Sequence, residues 1–253
     1  MKKYIFTTLV LLISLGHAFS QVETEQLLID YNLYFVGYSG KVIVTTLTDD
    51  KHSLQTIQRN INVQSEPGVV ENITENSYIY KDYIQQSMIL EEFPSITLSE
   101  KLNNMTWELT GRSKKILNYA CDEAKTTFRG RNYIAYFTTN LPFKSAPWKF
   151  HGLPGVMLEV YSTDKKVKMT VNTLKQGKNL GKIKNPFRKK KRISWEDFKK
   201  KYEIQQKNMI QMLNSSKTGS GTVFYTDRID KITEMDKDRD LTYDYVIQRY
   251  WKN

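Results

Sequence analysis

The sequence predicts a mainly β fold: a curved antiparallel sheet or partly open barrel, with one helix packed on it in the C-terminal half. Three observations predict it. Short runs of β-branched and aromatic residues alternate with polar ones at a period of two, and turn residues punctuate them. No βαβ spacing, glycine-rich phosphate loop or internal repeat interrupts that rhythm. One segment, after Ser194, switches to a spacing of three and four.

In chain order, Met1-Lys2-Lys3 is basic, Tyr4 to Leu15 is apolar, and Ala18-Phe19-Ser20 supplies small residues before Gln21. That pattern predicts a secretory signal peptide over residues 1–20. The rest, 21–253, reads as a single β-rich domain with a basic loop and helix at about 182–214. Loss of Lys2 and Lys3 lowers the formal net charge from +11 to +9. No cysteine stands at the cut to carry a lipid, and no later run is long and apolar enough to form a transmembrane span. Export is the expectation.

Ile29, Tyr31, Leu33 and Phe35 alternate with polar partners, and Lys41 to Leu47 resumes β character. Ser53 to Val63, the segment holding Tyr78, Tyr80 and Tyr83, and Ser87 to Leu90 continue the series. Thr106 to Leu109 is a short strand, Gly111-Arg112-Ser113 reads as a turn, and Cys121 to Phe128 fits either a short helix or a strand. Tyr133 to Leu141 is a strand that Pro142 ends, because proline removes a ladder donor. Val156 to Tyr161 and Lys165 to Val171 form a hairpin with lysines on its solvent face, and Leu174 to Leu180 is polar. Ser194 is placed as an N-cap, with Trp195, Phe198, Tyr202, Gln205, Met209 and Met212 along one face of a helix over about 195–213. Thr222 to Tyr225 and Thr242 to Trp251 read as final strands.

The segment from Tyr119 to Val160 holds the single cysteine and three of the six prolines. Gly152 and Gly155 flank Leu153-Pro154, which suits a tight turn: proline fixes φ and glycine accepts a positive one. Gly152-Leu153-Pro154-Gly155-Val156-Met157 resembles the signature of the GLPGLI family, exported proteins of the Bacteroidetes. Tyr119, Cys121, Ala124, Phe128-Arg129-Gly130-Arg131, Tyr136-Phe137-Thr138, Leu141-Pro142 and Pro147-Trp148-Lys149-Phe150 extend the likeness; Ala146 stands where that family usually has glycine. The resemblance implies export, to the periplasm or the periplasmic side of the outer membrane, and a β-rich fold, and brings no catalytic residue with it. The signature residues it singles out are Cys121, Arg131, Trp148, Phe150, His151, Gly152, Leu153, Pro154 and Gly155.

Cys121 cannot form an intramolecular disulfide and reads first as a small buried hydrophobe. His52 and His151, about a hundred residues apart, do not make a metal motif, and no cofactor is expected. Arg188, Lys189, Lys190, Lys191 and Arg192 form a solvated basic loop or a contact for an anionic surface; export argues against nucleic acid. The first functional expectation is a non-enzymatic binding or envelope-accessory protein that engages a lipid, peptide or protein partner. Its rivals are an enzyme using Cys121 and His151, assisted by Glu159 or Asp122, and a purely structural partner in an envelope complex.

Overall fold

The computed structural model describes residues 24–35, 40–66, 69–92, 96–103, 105–201, 204 and 208. The expected leader over 1–20, the helix-face residues Tyr202, Gln205, Met209 and Met212, and the strands expected over 222–225 and 242–251 lie outside these residues.

Among the described residues twelve strands follow in sequence: β1 (Glu25–Phe35), β2 (Val42–Thr48), β3 (His52–Glu66), β4 (Val69–Asp82), β5 (Ser87–Glu92), β6 (Ile96–Lys101), β7 (Glu108–Ile116), β8 (Tyr119–Phe128), β9 (Arg131–Thr138), β10 (Val156–Ser162), β11 (Val167–Lys178) and β12 (Arg192–Ile193). They form one sheet in the order β12-β6-β5-β4-β3-β2-β1-β11-β10-β9-β8-β7. Every pairing is antiparallel except β12 with β6, which is parallel. The outermost strands, β12 and β7, do not pair with each other, so the sheet is not closed into a barrel.

Alternation decides the inner face. On β2 the residues alternate buried and half-buried from Val42 to Thr48, and Tyr31 of β1 lies between Val44 of β2 and Val171 of β11. Ala124, Ala135, Val160 and Met169 continue one buried cross-strand row through β8, β9, β10 and β11. The core reaches from these to Leu98 of β6, Phe143 and Phe150 of the β9–β10 connection, and Trp195 and Phe198.

A helix, α1, begins at residue 195. Ser194 caps it: its Oγ accepts from the Asp197 amide at 3.1 Å, satisfying a donor that the first turn leaves open. Trp195 and Phe198 stack at 5.5 Å and are buried against the sheet. The Trp195 ring also covers the Arg129 guanidinium, 3.5 Å from its centroid. Arg129, in the β8–β9 turn, pairs with Glu100 of β6 at 2.6 Å, both side chains nearly inaccessible. The ion pair therefore joins two strands from opposite wings of the sheet.

Three expectations change. Cys121 to Phe128 lies wholly in β8. Gly111-Arg112-Ser113 is no turn but part of β7, where the register against β8 shifts between Leu109 and Ser113. The polar stretch after Leu174 continues β11 as far as Lys178, paired with the start of β1, because ladder hydrogen bonds need no apolar side chain.

Candidate functional site

The connection between β9 and β10 is built by Phe150. This fully buried ring meets Tyr133 at 4.9 Å, Trp148 at 5.5 Å, Phe128 at 6.2 Å and Trp107 at 6.3 Å. Trp148 adopts a left-handed φ of 53° to reach it. Gly152 has φ 95°, as expected of a turn glycine, beside Trp107. Gly155 serves differently: a Cβ there would stand 2.1 Å from the Thr138 carbonyl oxygen, so only glycine lets the two backbones meet. Leu153 is buried and Pro154 exposed. Arg131 pairs with Asp164 at 3.2 Å, tying the β8–β9 turn to the β10–β11 turn.

From the sheet, β3 and β4 reach up to this connection. The fully buried Lys81 donates from Nζ to the carbonyls of Ala146, at 2.8 Å, and Phe150, at 2.6 Å. Gln55 donates from Nε2 to the same Ala146 oxygen at 2.6 Å. Burial lowers the Lys81 pKa to about 7. His151 is buried, its Nδ1–H donates to the Lys149 carbonyl at 3.0 Å, and the Trp107 indole donates to the His151 carbonyl at 2.7 Å. Desolvation, with Lys81 and Arg129 nearby, lowers its pKa to about 4 even though the Lys149 carbonyl favours the charged ring.

On the other face of β7 to β10 a second constellation assembles. Glu123 of β8, Tyr136 of β9 and Glu159 of β10 are successive cross-strand partners, which puts the two carboxylates on strands roughly 10 Å apart with the phenol between them. The β7 bulge, with Gly111 at φ 77°, bends that strand so that both Thr110 and Arg112 reach Glu123. Thr110 Oγ1 donates at 3.0 Å and Arg112 Nε at 2.8 Å, while Arg112 Nη2 and the Tyr136 hydroxyl add closer bonds. Burial alone would raise the Glu123 pKa, but the bonds from Tyr136, Arg112 and Thr110 and the Arg112 charge outweigh it and hold it below the usual carboxylate range. The bond to Glu123, with burial, pushes the Tyr136 phenol up. Lys114 Nζ pairs with Glu159 at 2.8 Å and lies 3.8 Å from the Tyr136 ring centroid; Tyr161 stacks on Tyr136 at 6.5 Å. Two carboxylates, two cations and two phenols thus share a partly exposed face, a set of donors and acceptors suited to a polyhydroxyl ligand.

Cys121 belongs to that side: it lies opposite Lys114 in the register and two residues before Glu123. It is buried, and desolvation raises its thiol pKa. The charges acting on Cys121 are Lys114, Asp122 and Glu159, whereas those acting on His151 are Lys81 and Arg129. The two side chains share none of these neighbours, and their pKa values move away from those of a thiolate–imidazolium pair. Glu159, named from the sequence as an assisting group, does lie in the array; Asp122, on the alternate face, is exposed. Arg112, Lys114, Glu123, Tyr136 and Tyr161 were missed. Their signal was there as i, i+2 pairs at 112/114 and 159/161, but it needed the strand register to become one site.

In the basic loop, Lys190 pairs with Glu91 at 2.9 Å and Arg192 donates to the Phe187 carbonyl at 3.3 Å. Arg188, Lys189 and Lys191 are exposed. Among the described residues no helix is long and apolar enough to cross a membrane.

The family model described as N-glycanase peptide, N-terminal domain, matches residues 40–198. The chain belongs to that family. The match spans β2 to the first turn of α1, and so contains both the β9–β10 connection and the Glu123 array. None of the curated proteins matches the chain in sequence. Two solved structures of PNGF-II are similar to it. One, in a P21 crystal form, is 14% identical with a TM-score of 0.48 and covers 70% of this chain and 32% of its own. The other, in a C2 form, is 14% identical with a TM-score of 0.46 and covers 82% and 33%. The chain thus spans about a third of the length of those structures.

Two expectations are corrected by the family match. The likeness to the GLPGLI family does not stand. Its central residues, Gly152 and Gly155, answer to a left-handed φ and a close backbone approach, needs that any chain making this turn shares. The non-enzymatic binding or accessory reading falls as well, since the family is an N-glycanase one. It rested on the lack of a catalytic set in the linear sequence, and the fold gathers polar groups from four strands that sequence spacing keeps apart.

Proposed function

We propose that this chain works in N-glycanase chemistry, engaging the N-linked carbohydrate of a glycopeptide on the face of β7 to β10 that carries Glu123, Tyr136 and Glu159. The family match over residues 40–198 carries the reading. The array supports it chemically. Glu123, itself buried, is held ionised by Thr110, Tyr136 and Arg112, and in return fixes the exposed Arg112 guanidinium where sugar hydroxyls can meet it. Lys114 and Glu159 place a donor and an acceptor one strand further on. The leader-like residues 1–20 support action after export, on the periplasmic side. The exposed Arg188, Lys189 and Lys191 would favour acidic glycans or an anionic envelope surface.

The test is glycan release from an N-glycosylated peptide by the purified full-length mature chain, followed by mass spectrometry, alongside glycopeptide retention on the immobilised chain. Release or retention that falls at least tenfold in Glu123→Gln and Arg112→Ala, with thermal unfolding little changed, is expected. A wild-type chain that neither releases nor retains the glycopeptide overturns the reading. Undiminished activity in both variants would remove it from this face.

A further inference from the structure

We propose that Lys81 is a proton-controlled clamp on the 145–151 segment: uncharged, its amine holds the connection onto the sheet in a dry interior, and charged, it admits water and loosens it. Lys81 is 0% exposed and makes its bonds to two main-chain carbonyls of one segment, those of Ala146 and Phe150. Neither partner is a carboxylate, and burial alone accounts for the lowering of its pKa to about 7. An ammonium there has dipoles but no counter-charge to offset its desolvation.

The surroundings favour entry of water once the charge forms. Among the described residues, Thr46 Oγ1, Gln55 Oε1, Ser145 Oγ and His151 Nε2 are buried polar atoms without a hydrogen-bond partner. They belong to one place: Thr46 lies opposite Gln55 in the ladder, Gln55 shares the Ala146 carbonyl with Lys81, and Ser145 and His151 flank the two clamped residues. Each would gain from a hydrogen-bonding guest. The titratable and charged groups around the segment are His151 and Lys149 within it, Arg129 with Glu100 across from His151, and Tyr83 beside Ser53. His151, lowered to about 4, and Tyr83, raised to about 12, both lie well away from Lys81.

The direction follows from linkage. The folded Lys81 loses its proton near pH 7 and the unfolded one near 10.5, so the unfolded chain binds more protons between those values and stability rises with pH across them. The clamped segment also carries the pairing of Ser145 with the start of β10: the Met157 amide donates to the Ser145 carbonyl at 2.8 Å and the Ser145 amide to Gly155 at 3.3 Å. Those amides report on the clamp.

The experiment is hydrogen exchange of the full-length chain between about pH 6 and 8.5, corrected for intrinsic rates, with the Lys81 Nζ resonance titrated directly by nitrogen NMR. Protection at Ser145, Phe150 and Met157 should rise about tenfold or more with pH in the wild type and stay flat in Lys81→Met, consistent with one titrating group. His151→Gln should keep the wild-type response. Flat protection in the wild type, or an Nζ midpoint above about 9, overturns the proposal, and the wild-type measurement decides even if Lys81→Met does not fold. A pH response that survives in Lys81→Met and disappears in His151→Gln assigns it elsewhere and overturns it too.

Discussion

Gly155 and Gly152 show how one motif can hold two physical demands. Gly155 leaves no space, since a methyl group would meet main-chain atoms of β9 that cannot turn aside. Gly152 has ordinary clearance and an unusual φ. Gly155→Ala should therefore destabilise by at least about 2 kcal/mol and Gly152→Ala by about 1–2 kcal/mol, read from urea unfolding midpoints. Only the first should also shift the amide resonances of Thr138 and Thr139, whose backbone must yield. His151 supplies a pH signature at the same scale. Its folded pKa, near 4, lies below the ordinary 6.5, so the unfolded chain binds the extra proton between them. Stability from this residue is complete above about 6.5 and is lost as pH falls toward 4. Thermal unfolding across that window should show less acid loss in His151→Gln. The sequence displayed the glycines and His151, and a turn was legible in them. Which glycine answers to φ and which to contact was not, because contact depends on Thr138, seventeen residues upstream.

Among the elements, α1 was read from its cap and aromatic stripe, and the cap bond and the buried Trp195 and Phe198 match that reading. Trp195→Ala should cost about 3–5 kcal/mol and Ser194→Ala about 1 kcal/mol in denaturant titrations. The larger value includes loss of the cover over Arg129. β7 was harder to read. Gly111-Arg112-Ser113 has the composition of a turn and the structure of a bulge, and composition does not separate them because both use glycine at positive φ. β8 was undecided for a related reason: its alternation mixes Cys121, Glu123 and Lys125 on one side, where a buried charge network replaces the apolar pattern that marks a strand. The candidate site was illegible at the point where the strand signal failed. Its carboxylate is buried by partners on other strands.

For the whole molecule, local alternation was enough to predict a mainly β, antiparallel fold with a packed helix, but not to choose an open sheet over a partly open barrel, and strand order needed contacts that no local pattern records. The Arg129–Glu100 pair joins the wings across the interior. Glu100→Gln or Arg129→Met alone should cost about 3–5 kcal/mol, since each leaves the other charge buried. The double variant should recover part of that loss, which a double-mutant cycle in urea would show as a coupling well above additivity.

β1 is an interior strand, bordered by β2 on one side and β11 on the other. Its first ladder partner on the far side is Lys178, opposite Glu25, so the two are separated by about 150 residues. During synthesis the hairpins from β1 to β5 can pair with their sequence neighbours, but the other side of β1 stays an exposed template until β11 has emerged. Until that late segment arrives, the open side of β1 can recruit a strand from another chain.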